Sequence, residues 1–455
     1  MVSRLSHSPA NSFPRLPDQF TYRLDLARAA TSRDLNNRPR HRWFYFPHSY
    51  SDALLQAILD EWQLPQDSCL LDPFVGAGTT MVVARERGLS AIGFDLSPLA
   101  VLTSNVKAKD HDQYATSKGL AEVVRLAITD KSNPGWASKR LDNALSENEQ
   151  KAFWHLREAI FLQQPQVRDF LLVALLRIVK KFSRAIADGG WFRWAERADH
   201  GDSVLISFQE QVECMLEDLV NTPLLKQSQF LNAMKGDARE VRISDETFDG
   251  LITSPPYPNR HDYSRIFHIE LLVMGEKESD ISDFRHRSLR SHVEARVADN
   301  NKQTFASRFE APESLNRVLK RLNKAVDQRV VPMLSGYFED LYTSLSVAYR
   351  GLKPGGRAAF VVGNVSYSGV AVRVDEIIQD VALQAGFAHE NTWVIRLRGN
   401  SAQQMSRHGR IPSRESVVFL RKRGARTIGQ RLTSPELASR LELSSPISKT
   451  ILTHS

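Results

Sequence analysis

Four consecutive residues, Ser254-Pro255-Pro256-Tyr257, are the best suited to chemistry, and they follow the apolar segment 248–253. Two prolines remove two backbone donors and hold the chain extended, so the carbonyl oxygens here have no neighbouring N–H group. The Ser254 hydroxyl and the Pro255 carbonyl can therefore accept the hydrogens of an amino group and orient its lone pair toward an electrophile. Tyr257 offers an aromatic face to a planar ring. We expect these four residues to be catalytic by alignment; for this segment alone, a proline-rich loop without chemistry is the alternative.

A glycine-bearing turn, Asp72-Pro-Phe-Val-Gly-Ala-Gly-Thr79, follows an earlier short apolar segment, and Asp95 ends the next one. A Gly-x-Gly turn lets backbone approach a ligand where a Cβ would clash, and Asp95 is placed to bind a ribose diol. Because the third glycine of a dinucleotide turn is missing and Asp-Pro-Phe opens it, a cationic amino-acid ligand suits it better than a pyrophosphate. A tight turn with no ligand is the alternative. Asp237 is a candidate partner for an adenine amino group, with an Asx turn or a helix cap as its alternative.

Strands and helices alternate around these residues. The segments 69–71, 91–94, 230–234, 248–253, 357–362, 393–397 and 416–420 have strand character, and helical periodicity is clearest at 151–161, 167–187 and 338–349. This alternation predicts an open, mostly parallel α/β sheet whose ligands bind at the carboxyl ends of the strands.

Composition places few limits on the chain. It has 455 residues, a net charge of +8 and a pI of about 9.4, which weakly favours a polyanionic partner. The two cysteines, Cys69 and Cys214, have neither disulfide-framework nor metal-binding spacing, so no metal is expected. The N-terminus has no export signal, and the longest apolar run, 170–179, is too short to cross a bilayer. We therefore expect a cytoplasmic protein without membrane contact.

Taken together, the turn and the proline segment resemble the DNA amino-methyltransferase family. The Ser-Pro-Pro-Tyr variant resembles its cytosine-N4 branch, because adenine-N6 members more often carry Asp or Asn before the two prolines. Residues 259–263 and 398–416 are also similar to this branch, and residues 44–50 resemble the N-terminal part of its cofactor pocket. The resemblance covers residues 41–105 and 230–423, with the turn preceding the proline segment, whereas many Ser-Pro-Pro-Tyr enzymes have the reverse order.

The resemblance implies a Rossmann-like S-adenosylmethionine-dependent methyltransferase sheet with a helical insertion. The implied activity is site-specific transfer of a methyl group from S-adenosyl-L-methionine to N4 of cytosine in double-stranded DNA, after the base is flipped out of the duplex. Restriction-modification or phage defence is the implied setting, with a cognate restriction endonuclease or a defence complex as partner. Adenine-N6 methylation, RNA base amino-methylation and an inactive DNA-binding subunit remain alternatives. Cytosine-C5 methylation is disfavoured, since it needs a cysteine where this chain has Tyr257.

The expected residues and regions can be stated in full. Cofactor contacts are expected from Phe46, Asp72, Pro73, Phe74, Gly76, Gly78, Thr79, Asp95, Asp237 and Thr253. DNA contacts are expected from Arg398, Gln403, Gln404, Arg407, Arg410 and Arg414, since arginine pairs with phosphate or guanine and glutamine with adenine; a solvated charged surface is the alternative. The expected regions are an N-terminal arm (1–40), a cofactor half (41–109), a helical insertion with a candidate role in target recognition (110–228), a catalytic half (229–423) with a basic insert (276–330), and a C-terminal tail (424–455).

Overall fold

The structure is a computed structural model. It describes residues 20–136, 138–188, 191–195, 203–222, 224–225, 229–260, 262–295, 308–322, 328–399, 413–424, 435–437 and 439. Its strands are β1 (Phe20–Tyr22), β2 (Cys69–Asp72), β3 (Ser90–Asp95), β4 (Ala185–Asp188), β5 (Trp191–Trp194), β6 (Leu231–Lys235), β7 (Phe248–Thr253), β8 (Leu352–Gly363), β9 (Val365–Tyr367), β10 (Val370–Val372), β11 (Phe387–Arg398) and β12 (Ser413–Lys422).

Its α-helices are α1 (Asp52–Trp62), α2 (Thr79–Arg87), α3 (Pro98–Ala108), α4 (Gln113–Thr129), α5 (Lys139–Ala144), α6 (Glu147–Phe161), α7 (Pro165–Phe182), α8 (Val204–Val220), α9 (Tyr263–Ile266), α10 (His268–Met274), α11 (Glu278–Arg287), α12 (Glu313–Leu322), α13 (Val330–Gly351) and α14 (Val374–Gln384). None of the helices described is long and apolar enough to span a membrane.

One eight-stranded sheet organises these elements, in the order β1-β11-β12-β8-β7-β2-β3-β6. The strands from β6 to β8 are parallel, while β12 runs antiparallel between β8 and β11. From β2 the chain moves outward to β3 and β6 and then returns to β7 on the other side of β2. The carboxyl ends of β2 and β7 therefore flank the crevice where ligands of open α/β sheets bind. The predicted α/β sheet is confirmed.

Capping residues of two helices set the turns at the ends of the sheet strands. Helix α3 begins after Ser97, whose side chain caps it, and has Pro98 in its first turn. Helix α2 begins after Gly78 and ends at Gly88, and both glycines have left-handed backbone, with φ of +76° and +73°. These caps fix the two turns that follow β2 and β3 at the crevice.

Apolar residues cover both faces of the sheet. Helices α12, α13 and α14 pack on one face around Leu71, Phe248 and Phe360. Helices α1 and α2 pack on the other face around Leu70, Ile252 and other residues of the same strands. The central strands are buried on both faces, as parallel strands of this class are.

The inserted helices α4–α8 do not form a separate core. Their apolar side chains pack with Trp43 and Phe44 from the N-terminal side and with Phe267 and Leu271 from beyond β7. The predicted helix over 167–187 is too long, because α7 ends at Phe182 and β4 then pairs antiparallel with β5. The insertion is thus attached to segments from both halves of the sheet.

Part of the predicted N-terminal arm belongs to the sheet. Strand β1 pairs in parallel with β11, from Phe20 opposite Thr392 to Tyr22 opposite Val394. Farther along, Arg40 is buried and its guanidinium donates to the carbonyls of Lys107 and Lys109. The described portion of the arm is therefore fixed to the body of the protein.

Candidate active site

A large cavity opens at the carboxyl ends of β2, β3, β6 and β7. Its wall comes from residues 46–50, the glycine turn (residues 73–79), residues 95–97 and 236–238, the proline loop (residues 254–258), and residues 262–292. The predicted residues that line it are Phe46, Pro73, Phe74, Gly76, Thr79, Asp95, Asp237, Ser254 and Pro256.

The glycine turn is locked to Asp95. The Gly76 backbone N–H donates to Asp95 Oδ2 at 3.0 Å, and the Ser97 N–H donates to Oδ1 at 2.9 Å. Each carboxylate oxygen keeps a further lone pair, and Asp95 lines the cavity. Burial raises the pKa of Asp95, while these backbone hydrogen bonds act against the rise. Asp95 can therefore accept two hydroxyl donors from the cavity.

The two glycines of the turn have different roles. Gly76 has φ of +44° and lines the cavity, so a side chain there would occupy ligand space. Gly78 does not line the cavity. A Cβ on Gly78 would lie 2.7 Å from Ser104 Oγ and 2.8 Å from Ser104 Cα, so this glycine lets α3 pack against the turn.

Asp72 joins β2 to β7 from behind the cavity wall. Its Oδ1 accepts from Thr253 Oγ1 at 2.6 Å, its Oδ2 accepts from Thr80 Oγ1 at 2.6 Å, and the Phe74 N–H adds a third hydrogen bond at 3.2 Å. Burial raises the Asp72 pKa to about 6, against the effect of these donors. Neither Asp72 nor Thr253 lines the cavity, so the structure gives both a positioning role next to the expected cofactor contacts.

Asp237 is part of a buried ion-pair network. Arg239 donates to both of its carboxylate oxygens, at 2.9 and 2.6 Å, and also contacts Asp340 at 3.1 Å. The two carboxylates raise the Arg239 pKa although burial lowers it. Asp237 still lines the cavity; its Oδ1 accepts from both the backbone N–H and the Nε of Arg239, whereas its Oδ2 accepts only from Nη2 and keeps a lone pair.

The proline loop presents acceptors, as its sequence predicts. Ser254 Oγ donates to the Val361 carbonyl at 3.0 Å, which commits its single hydrogen to β8 and leaves its lone pairs as acceptors. The Tyr257 ring packs on Gly363, where a Cβ would lie 2.8 Å from the ring. Pro255 and Tyr257 are not in the cavity wall; burial raises the Tyr257 pKa, and the Glu415 carboxylate raises it further.

The hairpin of β9 and β10 supports the end of this loop. The Tyr367 hydroxyl donates to the Pro258 carbonyl, and the Arg260 guanidinium lies 5.7 Å from the centre of the Tyr367 ring. The hairpin therefore limits the movement of the segment that follows the two prolines.

A buried lysine, which sequence reasoning missed, ties two walls of the cavity together. Lys107 Nζ donates to the carbonyl of Phe44 at 2.7 Å and to that of Ala77 at 2.9 Å. It is 1% exposed, and burial lowers its pKa to about 7. The sequence contains no signal for this role, because Lys107 reads as an ordinary lysine in the last turn of a helix. Lys107 fixes the aromatic segment (residues 43–46) against the glycine turn.

A second missed wall is formed by residues 262–292. Tyr263 and Phe267 line the cavity, and the Phe267 ring lies 4.7 Å from that of Phe46. Ser288, Ser291 and other residues after α11 line it as well. The aromatic residues of this wall could have been identified from the apolar pattern of 266–273, whereas the strongly polar sequence of 278–292 favours a surface segment.

The candidate DNA-binding residues fall into three groups. Arg398 ends β11, pairs with Glu415, and has a half-exposed side chain. Arg414 differs from the prediction: its guanidinium is 13% exposed and donates to buried Asp375 at 2.6 Å and to Glu376 at 2.7 Å, so it holds β12 against α14. Gln403, Gln404, Arg407 and Arg410 lie outside the described residues.

Two described arginines of the predicted basic insert are paired with acids. Arg285 contacts Asp262 at 2.8 Å and Arg290 contacts Asp340 at 2.6 Å, and both side chains are mostly buried. These two arginines stabilise the fold and are not part of a free cationic surface.

Comparison with known proteins agrees with this geometry. A family model described as DNA methylase matches residues 24–105. Type II methyltransferase M.BsoBI of Geobacillus stearothermophilus is 28% identical over 441 residues, covering 85% of this chain and 86% of that protein. Type II methyltransferase M.AvaI of Nostoc sp. is 28% identical over 457 residues, covering 90% and 92%. Type II methyltransferase M.MvaI of Kocuria varians is 20% identical over 374 residues, covering 75% and 80%.

Proposed function

The chain belongs to the DNA amino-methyltransferase family, whose methyl donor is S-adenosylmethionine, and from this premise we propose that it methylates N4 of cytosine in double-stranded DNA. The relatives named Type II methyltransferase support a site-specific enzyme of a restriction-modification system. The Ser-Pro-Pro-Tyr sequence of the proline loop supports cytosine over adenine. A cognate endonuclease that cuts the same site is the partner that this setting implies.

The cavity fits the cofactor in its chemistry. Asp95 has free lone pairs for a ribose diol, and Asp237 Oδ2 has one for an adenine amino group. Gly76 leaves room for the backbone to approach a ligand, and Phe74 provides an apolar surface. The buried Asp72 carboxylate adds negative charge behind the turn, which suits a ligand that carries an ammonium and a sulfonium group. When bound, the cofactor supplies an electrophilic methyl group.

The proline loop orients the amine that attacks this methyl group. Ser254 Oγ acts as an acceptor because its hydrogen is already given to the Val361 carbonyl, and this observation carries the proposal. The Pro255 carbonyl is the second acceptor. Two acceptors hold both amine hydrogens, turn the nitrogen lone pair toward the cavity, and stabilise the positive charge that grows on nitrogen as the bond to carbon forms. As the nitrogen–carbon bond forms, the bond from the methyl carbon to sulfur would break, and the nitrogen would then release one hydrogen to solvent as a proton.

Target recognition is assigned to elements outside the sheet. We assign the catalytic unit to residues 41–109 and 229–423 and target recognition to the helical insertion, with help from the β11–β12 connection. The shared packing of the insertion with Phe44 and Phe267 supports this division, because both residues adjoin the cavity wall. A DNA contact by the insertion would thereby be close to the site of chemistry.

The decisive experiment methylates unmethylated plasmid DNA with the purified protein and identifies the modified nucleoside by mass spectrometry. We expect N4-methylcytosine, and we expect Ser254→Ala to lower kcat by about 100-fold with little change in cofactor affinity, as for loss of one preorganised polar group. Thr21→Ala, on the exposed edge strand β1, is the control and should keep full activity. N6-methyladenine as product would refute cytosine specificity, and full activity of Ser254→Ala would refute the role of the hydroxyl.

A further inference from the structure

A nine-residue segment, here named the strap (residues 284–292), supplies a part of the cavity wall that the family motifs do not include. Phe284, Ser288, Leu289, Ser291 and His292 all line the cavity. None of the motifs that carry the family resemblance lies within this segment.

Three anchors fix the strap in place. Arg239, which is bound to Asp237, donates to the Arg287 carbonyl at 2.5 Å. Arg290 donates from its backbone N–H and its guanidinium to Asp340 at 2.9 and 2.6 Å. At the far end, the Arg260 N–H donates to the Ser291 carbonyl at 3.1 Å. The strap thus runs from the Asp237 corner of the cavity to the chain that follows the proline loop.

The hydrogen bonds of His292 define its tautomer. Ser288 Oγ donates its single hydrogen to the Arg285 carbonyl at 2.8 Å, so it must accept in its 2.8 Å contact with His292 Nε2. We therefore assign the proton to Nε2, which leaves Nδ1 with a lone pair. Only 5% of His292 is exposed, and within the described chain Nδ1 has no hydrogen-bond partner. His292 lines the cavity, so a ligand there is within reach of this acceptor.

The charges around His292 keep its ring neutral. Burial lowers the His292 pKa, and the nearby cations Arg285 and Arg265 lower it further. Asp262 and Glu294 act in the opposite direction, but both carboxylates are paired with those arginines. At neutral pH the ring therefore has one donor, used on Ser288, and one free acceptor.

We propose that His292 Nδ1 accepts a hydrogen bond from the adenosine half of the cofactor, which makes the strap a recognition element for the nucleoside. The proposal rests on the proposed function only through the identity of the cofactor. Two features of the wall point to adenosine: Arg239, the partner of Asp237, also binds the strap at the Arg287 carbonyl, and His292 lines the same cavity as Asp95 and Asp237. Adenosine offers donors at its exocyclic amine and its ribose hydroxyls.

Two conservative variants separate recognition from a purely structural role. The Asn side chain places an oxygen near the position of Nδ1, so His292→Asn keeps the acceptor but loses the link to Ser288. The Gln side chain reaches the position of Nε2, so His292→Gln keeps the link and loses the acceptor. The measurement is the Kd of S-adenosylhomocysteine by titration calorimetry without DNA. We expect His292→Gln to raise the Kd about 3- to 10-fold and His292→Asn to leave it within about 2-fold.

The other outcomes overturn the proposal. If His292→Asn binds S-adenosylhomocysteine more weakly and His292→Gln binds it as the unmodified protein does, His292 only holds Ser288. Equal Kd values in all three proteins would show that His292 does not contact the ligand. Adenosine and purine riboside, which lacks the amine, serve as further probes: the effect of His292→Gln must appear with adenosine, because it is assigned to the nucleoside half. Product identity tests the proposed function separately, since N4-methylcytosine formation by a protein whose His292→Gln variant binds normally would refute this inference alone.

Discussion

The two walls of the cavity are built in different ways. The glycine turn is stabilised by local contacts: its Gly76 amide reaches Asp95 on the neighbouring strand, and its shape follows from two glycines. The strap starts in the last turn of α11 and continues as irregular chain. It is held by a hydrogen bond from Arg239 to the Arg287 carbonyl and by the ion pair of Arg290 with Asp340, each partner about fifty residues away. The turn thus depends on backbone conformation, and the strap depends on buried charge. Substitutions that affect one wall should spare the other.

The strap wall should be the more sensitive to loss of one side chain. Arg239→Ala leaves the carboxylates of Asp237 and Asp340 buried without their shared cation, and we expect the free energy of unfolding to fall by about 3–5 kcal/mol in urea titrations. Arg125→Ala, which removes an exposed pair with Glu122, is the control and should cost less than about 1 kcal/mol. Similar losses in the two variants would contradict this account of the strap.

The Gly78→Ala variant tests whether the glycine turn depends on its backbone conformation. The new Cβ collides with the Ser104 backbone and side chain and also forces a left-handed conformation on a residue with a Cβ, which itself costs about 1–2 kcal/mol. We expect at least a tenfold higher Kd for S-adenosylhomocysteine together with lower stability. Gly88→Ala, at the other end of α2 with nearly the same φ, should lose stability but keep cofactor affinity. Unchanged affinity in Gly78→Ala would show that the turn tolerates displacement.

A pH series sharpens the comparison, because the turn wall contains a carboxyl group with an altered pKa. Burial raises the Asp72 pKa to about 6 in the folded protein, above its ordinary 3.8, so Asp72 stabilises the free protein below pH 4 and this contribution is lost as pH rises through 6. A cationic cofactor favours the ionised form, so its affinity should rise by up to about tenfold per unit as pH increases toward 6. Asp72→Asn should flatten this dependence in calorimetric titrations between pH 5 and 7.5. An equally steep profile in that variant would assign the titration to another group.

The smallest effect concerns DNA. Arg398→Ala should weaken binding to duplex DNA a few-fold and reduce the slope of log K against log salt by about one, since a phosphate contact releases about one counterion. Arg421→Ala removes a comparably exposed arginine from the opposite end of the β11–β12 pair and should leave both quantities unchanged. Equal effects would indicate general charge attraction rather than a contact at the Arg398 end.

The sequence was sufficient to predict the features that depend on residues close together in the chain. The glycine turn, Asp95 and the proline loop sit at strand ends, and the structure places them around one cavity because parallel strands end on one edge. The lysine that joins two walls could not be predicted, since its partners Phe44 and Ala77 approach it only after the aromatic segment folds across α3.

Arg414 has a partner that the sequence did not indicate, because Asp375, which binds it, is remote in sequence and fully buried. Helix α7 was predicted too long for a related reason: the tertiary pairing of β4 with β5 ends it. Long-range partners decided each of these cases, and sequence periodicity contains no information about them.

The pairing of the edge strand β1 with β11 affects the order in which the protein can fold. Its partner β11 begins at Phe387, so almost the whole chain must emerge from the ribosome before Phe20–Tyr22 can find the backbone groups it bonds. Strand β1, which precedes the other described strands in the chain, is therefore among the last to dock, and until then both it and the β11 edge are open to pairing with other chains. Once docked, β1 covers the part of the β11 edge with which it pairs, from Thr392 to Val394.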